Sequence, residues 1–294
     1  SSANASSSSN STGGAGSNSR LDSLNRNIFK FTNLLQPQDS QWHETLVLKI
    51  LEKDVRLKKH YFDSLKLSIE PRPTSMWLKN VTFVMKLLDI RPLELESLVS
   101  ATKSDNSDFS FDQLLSWFVP SCGLQRTYLS AGIRHINPSV RFATINLIHR
   151  ILSVLDDLSA AFDEELGAAN KGSTLLHQLM EGISTTVKRK IPDLDSVLIL
   201  YNTGFNTAAA APASAKPASD AAIADPKLKD FNLDVDEDML HAQIMMLMSA
   251  YLRRFPESFV ELNFDMGKLF TIAEPWTSSL RVQEGIVPML EAAT

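Results

Sequence analysis

The chain has 294 residues, of which 44% are hydrophobic and 21% charged, and its formal net charge at pH 7 is −5. The apolar fraction excludes a wholly disordered chain, and the acidic excess argues against a small autonomous nucleic-acid binder, which is usually basic. The single cysteine excludes a disulfide scaffold, and no apolar run is long enough to predict a transmembrane helix. The chain starts at Ser1 rather than methionine, so we expect a fragment or a processed form.

Composition divides the chain into four parts. Residues 1–20 are rich in serine and are expected to form a disordered tail, because they cannot bury enough apolar surface to offset the entropy of ordering. Residues 21–206 and 227–294 carry helical patterns and are predicted to form one helical-repeat array. Between them, residues 207–226 contain ten alanines and three prolines, and they predict a loop or linker because proline interrupts helices.

Apolar residues recur at helical spacing along most of the chain. The first predicted helix covers 41–52, and the second follows Asp54 and ends before Pro71. Further helices are predicted at 75–90, 112–119, 125–135, 139–158 after Pro138, 173–189, 194–202, 235–255, and as a short segment from Pro256. Alternating strand patterns bounded by turn dipeptides are missing, so the sequence predicts an all-α fold.

The apolar faces of these helices define a candidate core. The predicted faces are Trp42, Leu46 and Ile50; then Leu57, Tyr61, Leu65 and Ile69; then Trp77, Val81, Val84, Leu87 and Leu88. Trp42, Trp77 and Trp117 are expected to pack between helices. The run from Ile244 to Met248 is expected to be core, with an adaptable partner groove as the alternative.

Two segments repeat a short pattern in which Val-Arg opens an amphipathic helix. Val55 and Val140 are 85 residues apart, which equals about two repeats of roughly 40–47 residues. The pattern resembles the second helix of a HEAT or armadillo repeat, and this resemblance implies that the valine packs inward and that the arginine pairs with a neighbouring turn. The predicted architecture is therefore a HEAT/armadillo-like α-solenoid of stacked helical pairs.

Three longer stretches carry a closer resemblance. Residues 70–88 read Pro-Arg and then a tryptophan that opens a helix, and residues 120–155 contain Gly-x-x-His-x-x-Pro-x-Val-Arg. Residues 188–200 place Ile-Pro-Asp after a basic cluster. In this order, over about residues 25–272, they resemble the N-terminal helical domain of the nucleolar pre-ribosomal-associated protein 1 family. Members of that family are much longer, and the insert at 207–226 is not part of the family's pattern.

The resemblance implies a function as well as a fold. It implies a non-enzymatic scaffold in the nucleolus, within the nucleus, that serves pre-rRNA processing and assembly of the large ribosomal subunit. The implied partners are other large-subunit assembly factors, pre-ribosomal RNA and small nucleolar ribonucleoproteins, with no membrane and no small-molecule substrate. A HEAT/armadillo-type adaptor that binds peptides outside ribosome biogenesis stays open as the alternative.

Residues that could carry catalysis are sparse. Cys122 precedes His135 by thirteen residues, an arrangement that could suggest a Cys–His nucleophile, but a partly buried thiol in a turn is expected. No metal-binding His-Glu-x-x-His motif and no glycine-rich nucleotide loop occurs. We therefore predict no catalytic, metal or cofactor site, and we expect a surface or capping role for His135 and His149.

Basic residues form three clusters that a solenoid could align into one stripe for RNA phosphates or protein partners. The candidate contact residues are Arg56, Lys58, Lys59, Arg134, His135, Arg141, Arg150, Lys188, Arg189 and Lys190. Ordinary solvated helix surface is the alternative for each cluster. No RNP-like or GXXG signature is present, so any RNA contact is expected to involve backbone and shape rather than bases.

Overall fold

A computed structural model describes residues 26–53, 56–65, 67–90, 124–168, 174–209 and 235–263. Within these ranges every regular element is a helix, which confirms the all-α prediction. The helices are α1 (residues 26–34), α2 (Gln41–Lys53), α3 (Arg56–Ser64), α4 (Ser75–Asp89), α5 (Arg126–Ile133), α6 (Pro138–Ala168), α7 (Thr174–Lys190), α8 (Leu194–Ala209), α9 (Glu237–Arg254) and α10 (Pro256–Glu261). In the described part of the chain, none of them is long and apolar enough to cross a bilayer.

Several sequence predictions fall outside the described residues. These are the tail over 1–20, the helix over 112–119 with Trp117, Cys122, and the Val55 half of the Val-Arg repeat. The predicted linker over 207–226 is described only at its start, where α8 continues to Ala209. The later helices begin and end within a few residues of their predicted bounds, except that α6 and α8 extend further, to Ala168 and Ala209.

Helices α2, α4, α6 and α9 lie side by side in that order, and we call them the central row. Helix α3 packs on α2, helices α5 and α7 pack on α6, and helices α8 and α10 pack on α9. Two clusters of buried apolar residues result, one beneath α1 to α4 and a larger one that extends from α4 to α10. The 31-residue helix α6 contacts four other helices, so it is the element around which the larger core is built.

Ion pairs connect each helix of the central row to the next. The pairs are Glu44–Lys86, Asp89–Arg150, Asp156–Arg253 and Asp156–Arg254. In every case the earlier helix supplies the carboxylate and the later helix supplies the cation. We call this set the ion-pair ladder. Because its members are only partly exposed, they are screened less than fully solvated pairs.

Helices α2 and α4 of the central row run parallel, because two contacts fix their direction. The Lys79 ammonium donates to the carbonyl of Gln38 at 3.4 Å, and Lys86 pairs with Glu44 one to two turns further along. The partners are 41 and 42 residues apart in sequence. Such an offset falls within the length of about 40–47 residues that is typical of two-helix and three-helix repeats.

Helix α4 shows why a one-sided apolar pattern is a dependable predictor. The Thr74 hydroxyl accepts a hydrogen bond from the Trp77 amide at 3.2 Å and so caps the first turn. All five residues predicted for its apolar face are buried: Trp77, Val81, Val84, Leu87 and Leu88. The packing role predicted for Trp77 is therefore confirmed.

The apolar face predicted for α2 is wrong. Trp42 is 84% exposed and Leu46 is also exposed, whereas Val47 and Leu51 are fully buried. Helix α2 carries apolar residues on more than one face, so its sequence fits two registers of the helical period. Packing against α3 and α4 selects the face of Val47 and Leu51, and Trp42 does not pack between helices.

The second predicted helix also ends earlier than expected. Helix α3 stops at Ser64, although the apolar pattern continues to Ile69, which is buried in a non-helical segment. The Trp77 indole donates to the carbonyl of Ile69 at 3.1 Å, and the Asn80 amide donates to the carbonyl of Ser68 at 3.0 Å. These side-chain donors of α4 replace the backbone amides that would bond to the two carbonyls if helix α3 continued.

The Gly-x-x-His-x-x-Pro-x-Val-Arg stretch builds the turn between α5 and α6. The Asn137 side-chain oxygen accepts bonds from two amides in the first turn of α6, the shorter at 2.9 Å. His135 Nδ1 in turn accepts from the amide of Asn137 at 3.0 Å and so supports the residue that caps α6. Val140 is fully buried, as the HEAT resemblance implies. A Cβ atom on Gly132 would lie 2.7 Å from Thr144 Cγ2, so only glycine permits this close approach of α5 to α6.

Replacing Trp77 with alanine should lower the free energy of unfolding by about 3–5 kcal/mol, because it removes a large buried side chain and its bond to the Ile69 carbonyl. Trp42→Ala is the matched control and should change it by less than about 0.5 kcal/mol, because Trp42 is exposed. Urea unfolding followed by circular dichroism measures both. Equal losses in the two variants would contradict the packing described here.

Replacing Asp156 with asparagine should cost about 1–2 kcal/mol, because one carboxylate serves both Arg253 and Arg254 at a partly buried position. Glu70→Gln breaks an exposed pair with Arg72 inside one segment and should cost no more than about 0.5 kcal/mol. Urea unfolding at low and high salt tests this contrast. A loss at Asp156 no larger than that at Glu70 would show that the ladder does not hold the helices together.

Candidate functional site

The first predicted basic cluster lies on α3, and one of its members is a clear correction. Lys58 is only 3% exposed, and its ammonium donates to the carbonyl of Ile90 at 3.0 Å. It also lies 5.9 Å from the centroid of the Phe62 ring. Lys58 thus ties α3 to the end of α4, and its predicted role as an RNA or partner contact is wrong. For Arg56 and Lys59 the structure describes the backbone but not the side chains, so their contact role stays a prediction.

Burial changes the acid–base behaviour of Lys58. Removal from water lowers the pKa of its ammonium to about 8, although the nearby carboxylate of Asp89 opposes this shift. The ammonium lies beside the carbonyl of Ile90, the residue that follows α4, where the helix dipole favours a positive charge. The role of Lys58 is therefore to donate a hydrogen bond to a carbonyl at the end of α4.

The second cluster lies at the α5–α6 corner and along α6, and two of its members have partners within the protein. Arg134 donates to the Ser196 hydroxyl at 2.8 Å and so joins the α5 end to α8. Arg150 belongs to the ion-pair ladder. Burial lowers the pKa of Arg141, and the neighbouring carboxylate of Glu237 opposes that shift. All three residues stay candidates for an outside contact, but Arg134 and Arg150 already serve contacts between helices.

The third cluster ends α7. Lys188 pairs with Glu257 of α10 at 3.2 Å and lies 5.6 Å from the centroid of the Phe255 ring. Arg189 is exposed and makes no ion pair with a described residue, while Lys190 is half-buried. Exposed ion pairs contribute about 0–1 kcal/mol, so such cations can exchange an internal partner for a phosphate or an acidic side chain.

The Ile-Pro-Asp stretch builds a cleft that sequence reasoning missed. Ile191 and Pro192 are buried in the turn between α7 and α8, and the Tyr251 hydroxyl donates to the Pro192 carbonyl at 2.8 Å. This contact brings the α7–α8 turn against the junction of α9 and α10. The resulting opening has a volume of about 200 Å³, and we call it the Pro192 cleft. Its lining residues are Arg126, Lys188, Ile191, Pro192, Asp193, Leu194, Asp195, Tyr251, Phe255, Ser258, Glu261 and Leu262.

The polar groups at the entrance of the Pro192 cleft are held in place by one another. The Ser196 hydroxyl donates to the Asp193 carboxylate at 2.5 Å, and Arg126 pairs with the other carboxylate oxygen at 2.5 Å. The bond from Ser196, aided by the charge of Arg126, lowers the pKa of Asp193 against the opposing effect of burial. Burial raises the pKa of the Tyr251 phenol, which keeps it a neutral donor.

The chemistry available to the cleft is that of a binding surface. Its floor is apolar, and no group of three or more His, Cys, Asp or Glu residues in the described ranges is placed to hold a metal ion. The signal in the sequence was the Ile-Pro-Asp motif itself, because a buried proline between two helices marks a fixed turn. The residues that complete the cleft come from α9 and α10, more than fifty residues later, and no local pattern predicts that meeting.

The N-terminal part of the chain matches a known protein family. Residues 2–80 match the family described as Npa1, ribosome 60S biogenesis N-terminal, and this match confirms the family resemblance. The matched range ends within α4 and includes α1, α2 and α3. No curated protein and no solved structure matches the chain.

Stability should rise with pH where Lys58 loses its proton. The folded state releases this proton near pH 8 and the unfolded state near 10.5, so the unfolded state binds more protons in between. The free energy of unfolding should therefore increase by on the order of 1–3 kcal/mol across that window. Lys58→Met should remove this increase, and Lys49→Met, at an exposed position of α2, should keep it. Urea unfolding at about pH 7 and about pH 9.5 measures the change in the free energy of unfolding. The same change in the original chain and in both variants would contradict the assignment of this increase to Lys58.

Proposed function

We propose that this chain, whose residues 2–80 match the Npa1 family of 60S ribosome biogenesis, acts as a non-enzymatic scaffold in nucleolar assembly of the large ribosomal subunit. The family match is the observation that carries the proposal. The proposed role is to hold assembly factors and pre-ribosomal RNA in fixed relative positions during pre-rRNA processing. Positioning of this kind needs no catalytic step.

The contacts of the central row support a HEAT/armadillo-like array as the form of this scaffold. Four helices lie side by side, and two contacts set α2 and α4 parallel to each other with an offset of 41 and 42 residues. In a stack of helical pairs, equivalent helices of successive repeats are related in this way. Such an array presents long continuous surfaces, and these surfaces are what a scaffold offers to several partners at once.

The charges on the described surface favour protein partners over a broad RNA surface. Most described cations of the predicted stripe already have internal partners, and the whole chain is acidic. We therefore propose that assembly factors make the main contacts. Pre-ribosomal RNA and small nucleolar ribonucleoproteins would then bind locally, through contacts of their phosphates with Arg134 and Arg189.

Affinity purification and RNA crosslinking in cells test this proposal. A tagged protein that contains this chain should recover precursors of the large subunit and pre-ribosomal RNA, and it should locate to the nucleolus. Arg134→Glu with Arg189→Glu should lower RNA crosslinking by about threefold or more, because each lost phosphate contact weakens binding. The control pair Lys30→Glu with Lys49→Glu, at exposed positions of α1 and α2, should leave it unchanged.

The alternative function gives a different result. A peptide-binding adaptor outside ribosome biogenesis would locate elsewhere and would recover neither large-subunit precursors nor pre-ribosomal RNA. That outcome would overturn the scaffold proposal, whatever the affinity of the protein for peptides.

A further inference from the structure

The floor of the Pro192 cleft is suited to a single apolar side chain. Ile191, Leu194, Tyr251 and Phe255 are each at least 95% buried and form this floor. The volume of about 200 Å³ is below the range of about 300–1,000 Å³ that is usual for small-molecule pockets. Pockets that seat one anchoring side chain of a protein partner are small, apolar and surrounded by polar groups.

The rim of the cleft carries excess negative charge. Both cations of the lining, Arg126 and Lys188, already pair with carboxylates. Asp195 and Glu261 are exposed, line the cleft, and make no ion pair with a described residue. Two uncompensated carboxylates beside an apolar floor attract a cationic partner and repel the phosphates of RNA.

The cleft is also held in shape before any partner arrives. The Tyr251 hydroxyl bonds to the Pro192 carbonyl, and the Lys188 ammonium lies over the Phe255 ring while it pairs with Glu257. A surface that is ordered in the free protein loses less conformational entropy on binding than one that must first form.

We propose that the Pro192 cleft binds a basic peptide segment of a protein partner. One apolar side chain of the segment would lie on the floor, and its neighbouring lysine or arginine residues would contact Asp195 and Glu261. The inference rests on the proposed function and deepens it, because it names the chemistry of one segment that the scaffold holds.

Fluorescence anisotropy with the 294-residue chain and a short labelled peptide, a phenylalanine flanked by lysines, tests the proposal. Replacing the phenylalanine by alanine, or the lysines by glutamates, should weaken binding by about tenfold or more. In the protein, Ser258→Trp fills the cleft from α10 and should have an effect of the same size. Asp195→Asn with Glu261→Gln should weaken binding by about threefold to tenfold and reduce its dependence on salt.

The matched control is Asp163→Asn with Glu181→Gln, which removes two exposed carboxylates from α6 and α7 that do not line the cleft. This variant should bind the peptide as the original chain does. An unfolding midpoint for Ser258→Trp equal to that of the original chain shows that the fold is kept. If Ser258→Trp is destabilised, the test of the cleft depends on Asp195→Asn with Glu261→Gln alone.

Three results would overturn the inference. The first is equal binding of the alanine peptide, the second is unchanged binding by both cleft variants, and the third is direct binding of labelled single-stranded RNA that Ser258→Trp abolishes. Failure of the peptide assay, with large-subunit precursors still recovered from cells, removes this inference and leaves the proposed function in place. Absence of those precursors removes the proposed function itself.

Discussion

Where the chain leaves a helix or runs between two helices, some backbone carbonyls have no partner within a helix, and in this chain long side chains from neighbouring helices donate to them. The Trp77 indole does so at Ile69, the Lys58 ammonium at Ile90 and the Tyr251 hydroxyl at Pro192. Each donor is itself almost fully buried. Because an unsatisfied buried carbonyl costs about 1–3 kcal/mol, each of these bonds fixes how its segment lies against the helix that supplies the donor.

The same constraint explains why charge along the sequence is a poor guide to the binding surface. Lys58 belongs to a basic run that reads as a phosphate contact, but it is a buried donor at the end of a helix. Arg150 and Arg254 connect helices of the central row, and Arg254 also donates to the Leu155 carbonyl at 2.9 Å. Cations that hold an array together and cations that bind a partner share one pattern in sequence, and only burial and pairing separate them.

The sequence predicts the fold where a helix has a single apolar stripe or a clear start. Helix α4 buries its five predicted residues, and α6 begins at the predicted Pro138, where proline suits the first turn. The prediction is wrong at α2, whose apolar residues fit two faces, and at the end of α3, where donors from α4 replace helical bonds. The Pro192 cleft could not be predicted, because its two sides come from distant segments and its charge balance depends on which ions are paired.

The ion-pair ladder connects the architecture to the cleft. Tyr251 reaches the Pro192 carbonyl from α9, and α9 is joined to α6 through Arg253 and Arg254 just beyond that tyrosine. The cleft therefore exists only while α9 stays in register with α6 in the central row. A partner that binds across the α7–α8 turn and α10, as we propose, would favour the arrangement in which α6 and α9 are in contact, and loosening of that contact would weaken the binding surface. Binding at the Pro192 cleft and the contact between α6 and α9 are therefore linked through Tyr251, Arg253 and Arg254, which lie within one turn of α9.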